Sequence, residues 1–308
     1  MPEAVIDIGT NSAHLLVAEI KNNDIQILDS GLRTVRLGEG LMQKSAIQPA
    51  AVQRTLDGVN QLLHRAHKAS PTSIQIIGTH VFRAAQNGIE VAKLLEQALG
   101  LPVEILSETD EAYWSFQGAV WGRKIQNICS LTDIGGGSTE IVTGTRNQID
   151  HAVSLPMGAV TFTEQYCVRT PLSEVESVRM QQAIESQFQP VSFPVSDVFY
   201  AVGGTATSLA AMYHKLNLYD AAMVDGTELT FSKLHEMYKI LLGATQKEKE
   251  KLLSFHPERA DVIVAGAAIL YILMQHFSLD SVIVSNRGLR YGILLRNYFK
   301  KIEEGNLI

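Results

Sequence analysis

The chain has 308 residues, 46% hydrophobic and 19% charged, with a net charge of −6; this exceeds what one core usually supports and predicts two soluble globular domains. The acidic balance excludes a general nucleic-acid binder, which needs a basic excess against phosphate. Cys129 and Cys167 are the only cysteines and lack metal-ligand spacing, and the nine histidines include no HExxH, so neither a disulfide framework nor a histidine-built zinc site is expected and a reducing cytoplasm fits.

The first third reads as an antiparallel meander of three strands, AVIDIG, AHLLVAEI and DIQILDSGLRTVRLG, joined by short polar turns. A helix over 49–68 follows, with Val52, Leu56, Val59, Leu62 and Leu63 at helical spacing. Next come a strand SIQIIGT, a helix over 88–99, a short strand PVEIL and a helix over 108–121. The run GRKIQN breaks the pattern, and a second meander starts with LTDIGGGSTEIVTG and QIDHAVSLPMG. Helices are predicted near Thr161, over 171–188 and over 232–242, and a buried strand VFYAVGG leads into the small-residue helix TATSLAAMY. The tail reads as an apolar helix after Arg259, a strand DSVIVSN and a last helix over 288–300. The apolar run 262–274 is too short to cross a bilayer, and the opening MPEAVIDIG has no basic region before an apolar stretch, so neither a membrane span nor a signal peptide is expected.

The two meanders align by their aspartates: Asp7 with Asp133, Ile8 with Ile134, Gly9 with Gly135, Ser12 with Ser138. This internal duplication predicts two similar α/β domains facing across a cleft, with a boundary near residue 122. Glycine weakens a strand, so the turns must gain something by it. A glycine-rich strand-turn-strand exposes a concave row of N–H groups, which binds anions, phosphate most often. Asp7 and Asp133, preceding the turns, are read as holding Mg²⁺, a hard cation that takes oxygen ligands beside substrate phosphates; the alternative is turn capping.

In SETDEAYWSF, Ser107 and Asp110 match a capping box, which leaves Glu111 to point elsewhere near a helix start, placed to take a proton from water. A surface acid favoured by the helix dipole is the plainer alternative. Arg83 in GTHVFRAA follows an apolar strand and suits bidentate phosphate binding. AVGGTATSLAA supplies a third glycine turn, where Gly204 and Thr205 open a helix whose N-terminus attracts anions; close helix packing is the rival explanation of its alanines.

Taken together, DIGTNS, GTHVFRAA, SETDEA, DIGGGSTE, VGGTATSL, ERADVIVAGAAIL and VSNRGLRYGIL resemble the exopolyphosphatase and guanosine pentaphosphate phosphohydrolase family, Ppx/GppA, of the actin, hexokinase and heat-shock ATPase superfamily, over nearly the whole chain. The resemblance implies two ribonuclease H-like (actin-like ATPase) domains with mixed five-stranded sheets flanked by helices, and an active-site cleft between them. Domain I would cover 1–122 and domain II 123–308, with the helix of about 288–308 returning to domain I. It also implies Glu111 as general base, Asp133 and Glu140 organising Mg²⁺, and Arg83 on the phosphate removed. Backbone groups of Thr10, Asn11 and Ser12, and of Gly135, Gly136, Gly137 and Ser138, would hold phosphate oxygens. The implied reaction is release of terminal orthophosphate from polyphosphate, or of the 5′ γ-phosphate from pppGpp, by a cytoplasmic homodimer that needs neither a membrane nor a DNA or RNA duplex.

Tyr113 and Tyr291 stand where the family usually has arginine and glutamate, and the sequence ends without the C-terminal helical domains of longer members. These departures imply a preference for short chains or nucleotides. An ATP-dependent kinase of the same superfamily and a non-catalytic sensor of (p)ppGpp or polyphosphate are the competing readings.

Overall fold

β1 (Glu3–Ile8) carries apolar residues on both faces, as a central strand covered on two sides must. Ala4, Ile6 and Ile8 join one apolar cluster, and Val5 joins another with Ile77, Leu106, Leu289 and Ile293. The structure is a computed structural model that describes residues 1–304 apart from 23, 126, 168, 193–195 and 197. Met1–Lys124 and Gly288–Ile308 form one unit, and Ile125–Arg287 form a second. The last residues of the expected tail helix, 305–308, lie outside the described residues.

In the first unit, β2 (Ser12–Lys21) and β3 (Asp24–Thr34) complete the meander, followed by α1 (Leu41–Lys44), α2 (Pro49–Lys68), β4 (Ser73–Gly78), α3 (His80–Ala84), α4 (Gly88–Leu99), β5 (Val103–Ile105) and α5 (Glu108–Val120). The sheet order is β3-β2-β1-β4-β5; β1, β4 and β5 run parallel, and β2 is antiparallel to its two neighbours. α2 forms because proline opens it and Val52, Val59, Leu62, Leu63 and Ala66 recur on one buried face. β3 stops at Thr34, short of the predicted Gly38, because the next two N–H groups, of Val35 and Arg36, both donate to the Asn11 carbonyl.

The second unit repeats the plan with β6 (Cys129–Ile134), β7 (Thr139–Gly144) and β8 (Ile149–Leu155). α6 (Ala159–Tyr166), α7 (Glu174–Phe188), β9 (Val198–Val202), α8 (Gly203–Tyr213), α9 (Ala221–Val224), β10 (Glu228–Thr230), α10 (Phe231–Gly243), α11 (Gln246–Leu252), α12 (Ile263–His276) and β11 (Ser281–Val284) follow. Read from β8, the order β8-β7-β6-β9-β11 matches that of the first sheet, so the duplication extends to topology. β10 then adds a sixth strand antiparallel to β11, correcting the expected five; only three residues long, it has no pattern for sequence reading to find. The core centres on α12, where every residue from Ile263 to Met274 except Tyr271 is buried.

α13 (Leu289–Glu303) belongs to the first unit, so the second ends at Arg287 rather than at 308. Arg296 donates to both carboxylate oxygens of Glu104 at 2.7 Å, and the Asn297 amide donates to Glu3 and to Gln75 at 3.0 Å each. Among the described residues no helix is long and apolar enough to cross a membrane.

Candidate functional site

The two strand-turn-strand corners close with the same bond. Gly9 N–H donates to the Ser12 carbonyl at 3.0 Å, and Gly135 N–H donates to the Ser138 carbonyl at 3.0 Å. In the first corner the Asn11 carbonyl accepts from Val35 and Arg36 at 3.0 and 2.8 Å, and the Thr10 carbonyl accepts from Gly38 at 2.9 Å. In the second, the first three amides of α6, which a helix cannot use internally, do the same work: Ala159 donates to Gly135 at 2.9 Å, and Val160 and Thr161 donate to Gly136 at 2.8 and 3.1 Å. The turn carbonyls are thus tied back. The N–H groups of Thr10 and Asn11, and of Gly136, Gly137 and Ser138, donate to no acceptor among the described residues, and such rows attract anions. Gly158 permits the second arrangement, since a Cβ there would lie 2.4 Å from the Gly136 carbonyl carbon. Ser12 adds a buried hydroxyl with no hydrogen-bond partner among the described residues.

In the first unit, α3 and α5 start just beyond the C-terminal ends of β4 and β5. Ser107 caps α5 as its sequence predicts, accepting from Asp110 N–H at 3.0 Å and donating to the Asp110 carboxylate at 2.7 Å. Glu111 is not left to itself: its Oε2 lies 2.8 Å from Nη1 of Arg83, and both side chains are under one-fifth exposed, so water screens the pair little. Arg83 Nη1 also donates to the Leu106 carbonyl at 2.7 Å. Its Nε and Nη2 are buried with no hydrogen-bond partner among the described residues. Those two atoms form the guanidinium edge that takes two oxygens of one phosphate. His80 opens α3 beside them; burial, and secondly the Arg83 charge, lower its pKa.

In the second unit Asp133 and Glu140 stand directly opposite in the β6–β7 register and so share a sheet face. Glu140 is only 2% exposed, and its Oε1 accepts from Ser154 Oγ at 2.9 Å. Gly203, at φ 86°, brings backbone against Asp133: a Cβ there would lie 2.6 Å from Oδ1. Among the described residues no three His, Cys, Asp or Glu side chains gather into a metal cage. Two carboxylates are, however, the usual protein share of a Mg²⁺ site whose remaining ligands are phosphate oxygens and water. Asp7 differs, because its register partner in the first unit is His14 rather than a second acid.

At the third glycine turn, a Cβ on Gly204 would fall 1.5 Å from Arg259 Nη1, so a buried guanidinium lies against the start of α8. Thr205 is buried with its hydroxyl against α12, where a Cβ on Gly266 would meet Oγ1 at 2.4 Å. Only the Thr205 backbone therefore remains at the helix start for an anion. Tyr291 is 3% exposed within a cluster of Leu16, Ala18, Ile25, Trp121, Leu294 and Leu295. It is core of the first unit, not the lining of a site. Tyr113 is exposed and edge-on to Trp114 at 4.8 Å. Burial pushes the thiols of Cys129 and Cys167 up to about 11, leaving neither as a thiolate nucleophile at neutral pH. Sequence reasoning missed His14, His80, Ser154, Gly158 and Arg259. Counting on to the seventh residue after each aspartate would have exposed His14 as the counterpart of Glu140; the others carry no local signal.

Residues 16–301 match the Ppx/GppA phosphatase family. Exopolyphosphatase 2 of Mycobacterium tuberculosis is 30% identical over 315 residues, covering 95% of this chain and 97% of that protein. The crystal structure of the Aquifex aeolicus Ppx/GppA family member is 28% identical, with a TM-score of 0.82 and 98% of each chain covered. An exopolyphosphatase from Cytophaga hutchinsonii, at 23% identity, shares the fold with a TM-score of 0.87 over 99% of this chain and 98% of that one.

Proposed function

This chain belongs to the Ppx/GppA phosphatase family, and from that premise we propose that it is a hydrolase releasing terminal orthophosphate from polyphosphate, with the 5′ γ-phosphate of pppGpp as a second substrate of the same chemistry. The observation that carries the reading is the pair of turns whose carbonyls are tied back while their N–H groups donate to no acceptor among the described residues. A phosphate chain offers many oxygens to such donors, and phosphoryl transfer depends mainly on positioning and charge stabilisation.

Arg83, already fixed through Nη1, presents its Nε–Nη2 edge to the phosphate that leaves. Glu111 takes the proton of the attacking water as the oxygen–phosphorus bond forms, and the shortened chain departs with the bridging oxygen. Asp133 and Glu140 would hold Mg²⁺, which supplies neutralisation of phosphate charge. The α8 start, with Gly204 and the Thr205 backbone, adds donors for a longer chain or for a nucleotide's phosphates.

Glu111→Gln is expected to lose about 10²- to 10⁴-fold in turnover, the usual range for general-base action, while still binding tripolyphosphate. Full turnover in that variant would remove Glu111 from the chemistry. The test of the whole reading offers the purified protein and Mg²⁺ short polyphosphate, long polyphosphate, pppGpp or ATP, with orthophosphate counted for each. Release without an acceptor excludes a kinase; tight binding with no release in any arm would make the protein a sensor instead. A dimer by light scattering completes the proposal.

A further inference from the structure

The two meanders place different side chains at equivalent points of their third strands. In the second unit Asp133 of β6 stands opposite Glu140 of β7, and Glu140 stands opposite Ser154 of β8, so the strands set one row of side chains on a single sheet face. The equivalent row of the first unit is Asp7, His14 and Leu32. A meander of this plan therefore folds with leucine in the last place, and the sheet itself does not demand a hydroxyl there. In the second unit that hydroxyl donates to Oε1 of Glu140 at 2.9 Å.

We propose that Ser154 is a positioning residue, which orients Glu140 for the Mg²⁺ that this acid would hold with Asp133. The proposal rests on the Mg²⁺-assisted phosphohydrolase reading. The two carboxylates are held by different means. Asp133 is short, and backbone restrains it, since a Cβ on Gly203 would lie 2.6 Å from Oδ1. Glu140 has a longer side chain with more rotamers to lose, and a carboxylate as buried as this one needs donors in place of water. β8 lies on the far side of β7 from β6, so the bond from Ser154 tethers Oε1 on the β8 side and fixes the plane of the carboxylate. Groups hydrogen-bonded to a metal-ligating carboxylate set its orientation, and their loss weakens metal binding about 10- to 100-fold. Threonine at this position keeps a hydroxyl on the same carbon and suits a strand, whereas alanine removes the donor.

Titration with Mn²⁺ alone, followed by the paramagnetic resonance of the free ion, tests this without turnover. Ser154→Ala is expected to weaken Mn²⁺ binding about tenfold, Glu140→Gln by about tenfold or more, and Ser154→Thr should keep most of the wild-type affinity. Because Ser154 acts through Glu140, adding Ser154→Ala to Glu140→Gln should weaken binding no further, the non-additivity of residues in contact. A merely structural hydroxyl would lower the urea midpoint of Ser154→Ala and leave its Mn²⁺ affinity at the wild-type value; that result overturns the proposal. So does a further loss in the double variant, or Mn²⁺ binding that Glu140→Gln leaves unchanged. In orthophosphate release from tripolyphosphate, Ser154→Ala should need about tenfold more Mg²⁺ to reach half its maximal rate. A wild type that releases no orthophosphate would defeat the phosphohydrolase reading, while the Mn²⁺ titration would still decide the role of Ser154.

Discussion

Burial first, and the Arg83 charge second, hold the His80 imidazole below its ordinary value of 6.5, with Glu108 opposing. Between that value and the lower folded one, the unfolded chain binds more proton than the folded chain, so stability falls as pH drops through the interval. Chemical denaturation at pH 7.5 and at 5.5 should therefore show a steeper loss in wild type than in His80→Asn; equal losses would mean that the imidazole titrates alike in both states. Residues differ sharply in how openly they announce themselves. Ser107 caps α5 because its partner is three positions on, within reach of any local pattern. The Arg83–Glu111 pair joins two helices that only the order of β4 and β5 brings together, and no spacing along the chain encodes it.

Elements with a strong period were predictable and short ones were not. α2 spans the predicted 49–68, whereas α1, α3, α9 and α11 carry too few residues for a face to emerge. α11, QKEKEKL, looks like a solvated charge run, yet Lys249 within it is 2% exposed, and burial pushes its ammonium below 10.5. Helix contact also hinges on atoms that periodicity ignores. A Cβ on Gly292 of α13 would lie 1.8 Å from the Trp114 carbonyl oxygen of α5, and one on Gly118 of α5 would lie 2.2 Å from the Gly288 carbonyl. Because the obstruction is backbone, the helices must separate. Gly292→Ala is expected to cost about 3 kcal/mol, the upper part of the range for overpacking, read from the urea midpoint; a midpoint equal to wild type would show that the contact yields freely.

For the molecule as a whole, the chain leaves the first unit at Lys124 and re-enters it at Gly288. Residues 1–124 alone would expose Val5, Ile77 and Leu106, and also Leu16, Ala18, Ile25 and Trp121, all of which pack on α13. That fragment is expected to lack a cooperative thermal transition, and fusing 288–308 through a flexible linker of about 12 residues should restore one. Residues 125–287 contain their own core around α12 and should melt cooperatively by themselves. Equal melting of 1–124 with and without α13 would refute the assignment.

Composition, periodicity and the repeated aspartate-glycine corner determined by themselves that the chain holds two related α/β units, where their long elements run, and where the glycine turns fall. Those properties are local: a strand's alternation, a helix's face and a glycine's missing side chain act within a few residues. Only the tertiary structure decided that Arg83 holds Glu111, that α6 ties back the glycine turn, that Tyr291 is core, and that His14 stands where Glu140 does. Each of those facts needs distant segments brought side by side, and strand order and register, which set such meetings, arise from packing the whole sheet.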